Sequence, residues 1–133
     1  MIIVLCVTDY NWQKVGREMD VTAIQAKLKV FARDRDWERY HSPKNLSMAL
    51  AGEAAELLEI FQWMTPEESV AVKNVSYQKS AVEEEIADIL NYSLRLADLL
   101  DIDIERAVWD KMEKNAEKYL PQGSKTPRSK RGV

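Results

Sequence analysis

The sequence predicts an all-α protein built as a bundle of four main helices. Apolar residues recur three and four positions apart through four separate stretches, the spacing that gathers them on one helical face. No stretch alternates with period two for long enough to form a sheet, and Ser, Thr and Asp entry signals and Pro and Gly exit signals bracket the helical stretches. A first helix is expected over 20–36, where Ile24, Leu28 and Phe31 share a face. The loop over 36–42 holds Trp37, Tyr40 and His41. Ser42-Pro43 opens a second helix reaching residue 64, with Ser as N-cap and Pro in the first turn. Thr65 and Glu68 have the spacing of a capping box and begin a short segment ending near 75. A third long helix spans 76–100. Asp103 caps a fourth, which runs to 119 and is stopped by Pro121 and Gly123.

With 133 residues, 46% apolar and 31% charged, the chain has the make-up of one globular domain with a real core. That domain is placed at 19–120. Residues 1–18 show no helical period and are read as an N-terminal extension. Residues 121–133 form a basic tail, expected to be solvated and disordered. Both long middle helices are apolar on more than one side, which points to burial against a second subunit as well as the home core.

The net charge of −3 is unevenly spread. The last ten residues carry Lys125, Arg128, Lys130 and Arg131 and no acid, so the body is more acidic than the total. Such a body argues against stable nucleic-acid binding by the fold. The opening MIIVLCV is apolar for only seven residues, too short to span a bilayer, and no basic region precedes it. A cytoplasmic location without membrane association is therefore expected. Cys6 is the only cysteine and His41 the only histidine, which excludes an internal disulfide, a thiolate zinc cluster and a site of several imidazoles within one chain.

Two acidic pairs stand out, Glu53/Glu56 and Glu85/Asp88, each spaced i, i+3 within an apolar helical pattern. Residues three apart share a helix face, so each pair sets two carboxylates side by side. Four facing carboxylates repel unless a cation sits among them, and a hard divalent cation such as Mg²⁺ takes oxygen ligands of this kind. At about 100° per residue, Glu85 and Asp88 fall beside Tyr92 on the flank of a seam formed by Val82, Ile86, Ile89, Ser93 and Leu96, whereas Glu83 and Glu84 point elsewhere. On the second helix, Asn45, Glu53, Glu56 and Trp63 lie beside an apolar stripe of Leu46, Leu50, Leu57 and Phe61. On the fourth, Lys111, Asn115 and Lys118 make a polar stripe. Each feature has a plainer reading: acids on helices are usually solvated, the lysine stripe suits a solvent face, and Trp37, His41 and Trp63 suit packing or helix entry. Together they suit one task, hydrolysis of a nucleoside polyphosphate, with carboxylates for Mg²⁺, lysines and asparagine for phosphate oxygens, and aromatics for a base.

The pattern ExxE…ExxD follows Arg35-Asp36-Trp37 and His41-Ser42-Pro43-Lys44-Asn45-Leu46. With Phe61-Gln62-Trp63 and Lys111-Met112-Glu113-Lys114-Asn115 in the same order, it resembles the all-α nucleoside triphosphate pyrophosphohydrolases. Within them it resembles the MazG-like branch that includes the dCTP pyrophosphatases, over residues 20–120. The resemblance implies a four-helix bundle of that type, assembled as a homodimer or a dimer of dimers (a homotetramer). Its pockets would be built partly across the interface. It implies Mg²⁺-dependent cleavage, with Mn²⁺ as a substitute, between the α- and β-phosphates of a nucleoside triphosphate to give the monophosphate and pyrophosphate. Glu53, Glu56, Glu85 and Asp88 would be the catalytic metal ligands. Trp37, His41, Trp63 and Tyr92 would lie near base and sugar, and Lys111 and Asn115 near the nucleotide. In a mechanism of this kind Glu56 would take the proton of the attacking water. Lys44 and Lys111 would stabilise phosphate charge, while His41, Asn45 and Asn115 would read the base. Leu28 stands where animal dCTP enzymes carry a histidine, which bears on dCTP preference. The rivals are a non-catalytic interaction or regulatory protein keeping the fold, a relative acting on another nucleotide, and a di-iron bundle. The last needs a Glu-x-x-His on each of two helices, which one loop histidine cannot supply.

Overall fold

Four of the five α-helices begin where a short polar side chain satisfies an orphan amide. In the computed structural model, which describes residues 19–121, α1 spans Val21–Asp34, α2 Pro43–Phe61, α3 Pro66–Ala71, α4 Ser76–Leu99 and α5 Ile104–Lys118. Asp20 Oδ1 accepts from the Ala23 amide (2.9 Å), Ser42 Oγ from Asn45 (3.1 Å) and Asp103 Oδ1 from Arg106 (3.0 Å). Thr65 and Glu68 form the reciprocal capping box. Each such cap contributes about 1 kcal/mol. Single 3₁₀ turns at Glu38–Tyr40 and Val72–Asn74 fill the connections before α2 and α4. Among the described residues there is no strand, and no helix is long and apolar enough to cross a membrane. The expectations for residues 1–18 and for the tail beyond 121 lie outside the described residues.

The exits of α1 and α4 share one device. Asp36 and Asp101 adopt positive φ (54° and 53°). In both turns the amide of that residue donates to the carbonyl three back, Arg33 or Asp98, and the next amide to the carbonyl five back, Ala32 or Ala97. This is a Schellman motif, with aspartate where glycine is commoner; aspartate tolerates the left-handed region better than most residues.

Packing centres on α2 against α4, with α1 laid on α4. Leu46 of α2 is 2% exposed and meets a core shared with Ala32, Val72, Leu94 and Ala97. Gln25 of α1 donates to the Leu94 carbonyl (3.1 Å), fixing α1 to α4. The expected stripe of Leu50, Leu57 and Phe61 is half-buried, as are Val82, Ile89, Ser93 and Leu96. Ile86, placed in that seam by sequence, is instead exposed, because within one chain α4 is covered on one side only. Leu58, Leu90, Val108 and Met112 also face solvent. The fourth long helix, α5, touches the other elements sparsely and has no buried residue.

Two substitutions test this reading of the backbone. Gly52 sits mid-α2, and a Cβ there would meet no heavy atom within 4 Å. Gly52→Ala should therefore raise unfolding stability by about 0.8–1 kcal/mol in urea melts; a loss would show that something presses on that face. Asp101→Val should cost about 1–2 kcal/mol relative to Asp101→Gly, since a β-branched residue tolerates positive φ poorly.

Candidate functional site

Because α2 and α4 pack along each other, the two acidic pairs meet. Carboxylate oxygens of Glu53, Glu56 and Glu85 all lie within 4.8 Å of one another. Oxygens bound to one Mg²⁺ at about 2.1 Å sit about 3–4.2 Å apart, so small side-chain rotations suffice for these three groups to share a divalent cation. Asp88 lies outside that closest trio but within its field. Partial burial, then the charges of Asp88, Glu56 and Glu85, push the Glu53 carboxyl above its ordinary range. Partial burial followed by Glu56 and Asp88 does the same to Glu85. The Tyr92 hydroxyl is pushed up by burial, then by Glu53 and Asp88, which places it beside the same group. Glu84 and then Glu59 also act on Glu85. The sequence reading missed Glu59, although it lies three residues beyond Glu56.

A second group forms where α1 turns into α2. The Schellman turn at Asp36 directs Trp37, whose ring meets Phe31 edge-on at 5.7 Å and 76°. The Arg35 guanidinium lies 3.4 Å from the centre of the Phe31 ring. Trp37 is thus partly spent on packing and only half open to a ligand. Asn45 Nδ2 donates to the Tyr40 carbonyl (2.9 Å), so its amide first braces the loop. His41 is half-buried, and its Nδ1 accepts from Arg95 Nε at 3.4 Å. Arg95, 6% exposed, also pairs with Asp98 and lies 3.9 Å from Glu38. Sequence reasoning missed Arg95; its signal was an arginine among Leu94, Leu96 and Ala97 with an aspartate three residues on.

The remaining expected site residues stand apart. Trp63 is 89% exposed just beyond the end of α2. Lys44 is exposed in the first turn of α2. Lys111 is exposed and Asn115 half-buried on α5, and among the described residues no hydrogen bond or ion pair joins either to the acidic group. One chain therefore brings together Glu53, Glu56, Glu85, Asp88 and Tyr92, and separately Trp37, His41 and Asn45.

An all-α body whose two central helices oppose ExxE and ExxD pairs defines a class of acidic, cation-competent bundles. Residues 49–130 match the model of the MazG-like family, and the chain belongs to that family. It is similar to dCTP pyrophosphatase 1 of Rattus norvegicus, 42% identical over 71% of this chain and 57% of that protein. The Homo sapiens protein of the same name is 42% identical over 67% of this chain and 52% of its own length. The chain thus spans a little over half the length of these curated relatives. In three dimensions it is similar to the crystal structure of a pyrophosphatase from Archaeoglobus fulgidus DSM 4304. The TM-score is 0.70 and the identity 41%, covering 81% of this chain and all of that one.

The raised carboxyls carry a sign that can be measured. A folded-state pKa above the unfolded value adds stability below the unfolded pKa, and that contribution is lost as pH rises through the folded one. Without divalent cations these two carboxyls should contribute stability just below the ordinary glutamate range that is lost toward neutral pH, whereas His41, held below its ordinary pKa by burial and by Arg95, acts in the opposite direction. A divalent cation should offset the carboxyl loss at neutral pH, adding about 2.7 kcal/mol at a hundred times its dissociation constant. Glu53→Gln should raise the cation-free melting temperature at neutral pH and abolish the cation's effect. Thermal melts with EDTA and with added cation decide this, and an undiminished cation effect in the variant would remove Glu53 from the site.

Proposed function

We propose that this protein is a Mg²⁺-dependent nucleoside triphosphate pyrophosphohydrolase. It would cleave a deoxynucleoside triphosphate, dCTP or a modified relative, to the monophosphate and pyrophosphate. The observation that carries the reading is the convergence of Glu53, Glu56 and Glu85 within 4.8 Å, on the two helices that pack most extensively. Relatives named dCTP pyrophosphatase and a solved pyrophosphatase of the same fold support the reaction class.

Glu53, Glu56, Glu85 and Asp88 would hold the cation. Bound there, Mg²⁺ supplies charge neutralisation and Lewis-acid assistance at the triphosphate. Glu56 is the most open of the close trio and is suited to accept the proton of the attacking water. The new oxygen–phosphorus bond forms at the α-phosphate, the bond to the bridging oxygen breaks, and pyrophosphate leaves. Tyr92, which feels the charges of Glu53 and Asp88, would donate to a phosphate or sugar oxygen. Trp63 offers a bare aromatic face for stacking on a base, a contact that tolerates several bases.

Lys111 and Asn115 enter this scheme through a second copy. α5 presents Val108, Met112 and Tyr119 to solvent, and Ile86 and Leu90 of α4 are exposed as well. Exposed apolar side chains in this number favour burial between subunits. A homodimer, or a dimer of dimers, would cover it and carry the α5 polar stripe toward a neighbouring pocket.

A pyrophosphate-release screen across canonical and 5-modified (deoxy)nucleoside triphosphates with Mg²⁺ tests the reading, and no turnover of any of them would defeat it. With the substrate so found, Glu53→Gln and Asp88→Asn should each lower kcat by at least about a hundredfold while helical circular dichroism stays near wild type. Trp63→Ala should raise KM about tenfold, because loss of one stacking contact is worth about 1–3 kcal/mol.

A further inference from the structure

We propose that Arg95 is a positioning residue: it holds His41 in the neutral form protonated at Nε2 and fastens the His41 loop to the helix bearing Glu85 and Asp88. The use of His41 toward a nucleotide rests on the function proposed above; the Arg95–His41 coupling does not.

Arg95 is the one buried charged residue among those described. A guanidinium has five N–H donors, no acceptor, and does not lose its proton in proteins. Its donors must therefore find acceptors: Nη1 meets Asp98, Nη2 lies 3.9 Å from Glu38, and Nε meets His41 Nδ1 at 3.4 Å. Because Nε can only donate, Nδ1 must present its lone pair. The neutral ring then carries its proton on Nε2. The charged groups around the ring agree with that form. Burial, then the positive charge of Arg95, hold His41 below its ordinary pKa, against the opposing pull of Glu38.

With Nδ1 held by Arg95, the remaining ring N–H, on Nε2, has its direction fixed by that contact. Register supplies the second half of the argument. Glu85, Asp88, Tyr92 and Arg95 succeed one another at steps of three, four and three, so they form one stripe along α4. From Asp88 to Arg95 the stripe climbs about 10 Å, the scale on which a nucleotide extends from its phosphates to its base. A cation-held triphosphate at one end of the stripe would thus find the His41 N–H near the other, as donor to an acceptor atom of the nucleoside.

His41 is the only histidine, so a long-range proton–nitrogen NMR spectrum of the labelled full chain reads its tautomer directly. Near neutral pH the wild type should show the neutral Nε2–H form. Arg95→Met keeps the aliphatic stem without donors. It should give a mixture of tautomers and raise KM for the substrate found in the screen about tenfold, with kcat within about threefold. Arg95→Lys should recover part of both effects. A proton on Nδ1, or an imidazolium, in the wild type would overturn the coupling, and that result needs no variant to fold. A wild-type tautomer retained in Arg95→Met would overturn it too. An altered tautomer with unchanged KM would overturn the role in binding. Absence of turnover in the wild type counts against the hydrolysis instead, and leaves the spectrum to decide the coupling.

Discussion

Everything in this molecule is arranged around like charge held together by helix packing. The α2–α4 interface forms because Leu46, Leu94 and their neighbours leave water. That same contact forces Glu53 and Glu56 toward Glu85 and Asp88. Helices are stiff, so the backbones that carry the acids cannot draw apart without opening the core. The apolar contact thereby sustains an electrostatic strain, expressed in carboxyls that keep their protons more readily than usual. Such a group of carboxylates could hold a cation, and a cation held there would return the stability that the repulsion costs.

The second organising feature is the short path from α1 to α2. A Schellman turn on Asp36, a single 3₁₀ turn and the Ser42 cap leave the loop little freedom, and Asn45 and Arg95 pin it from the two central helices. The loop therefore inherits its position from the helices that carry the acids. Movement of α4 would reach Trp37 and His41 through Arg95, a mechanical link between the aromatic group and the acidic one.

How much of this the sequence discloses follows from the range of each interaction. The helix starts were legible because caps are local: Asp20, Ser42, Thr65 with Glu68, and Asp103 each act within three residues. The acidic pairs were legible for the same reason, as two instances of one spacing on amphipathic helices. Arg95 was not. An arginine on a helix is normally solvated, and the partner that shows otherwise, His41, lies 54 residues away in the chain. Ile86 misled because helical periodicity reports which face is apolar, not what covers it. The same blindness applies to Lys111 and Asn115: periodicity shows the stripe they share, and says nothing of what it would face.

The sparse contacts of α5 carry a consequence for how the molecule must be handled. A lone fifteen-residue helix is marginal in water, since its nucleation is costly and little apolar surface is withdrawn. Asp103 can start such a helix but cannot sustain it. In the homodimer proposed above, its persistence would be a collective property, set by how many chains share the solution. The proposed activity would then cease to be constant per molecule and become a function of dilution, fading in the thin solutions where enzymes are customarily assayed.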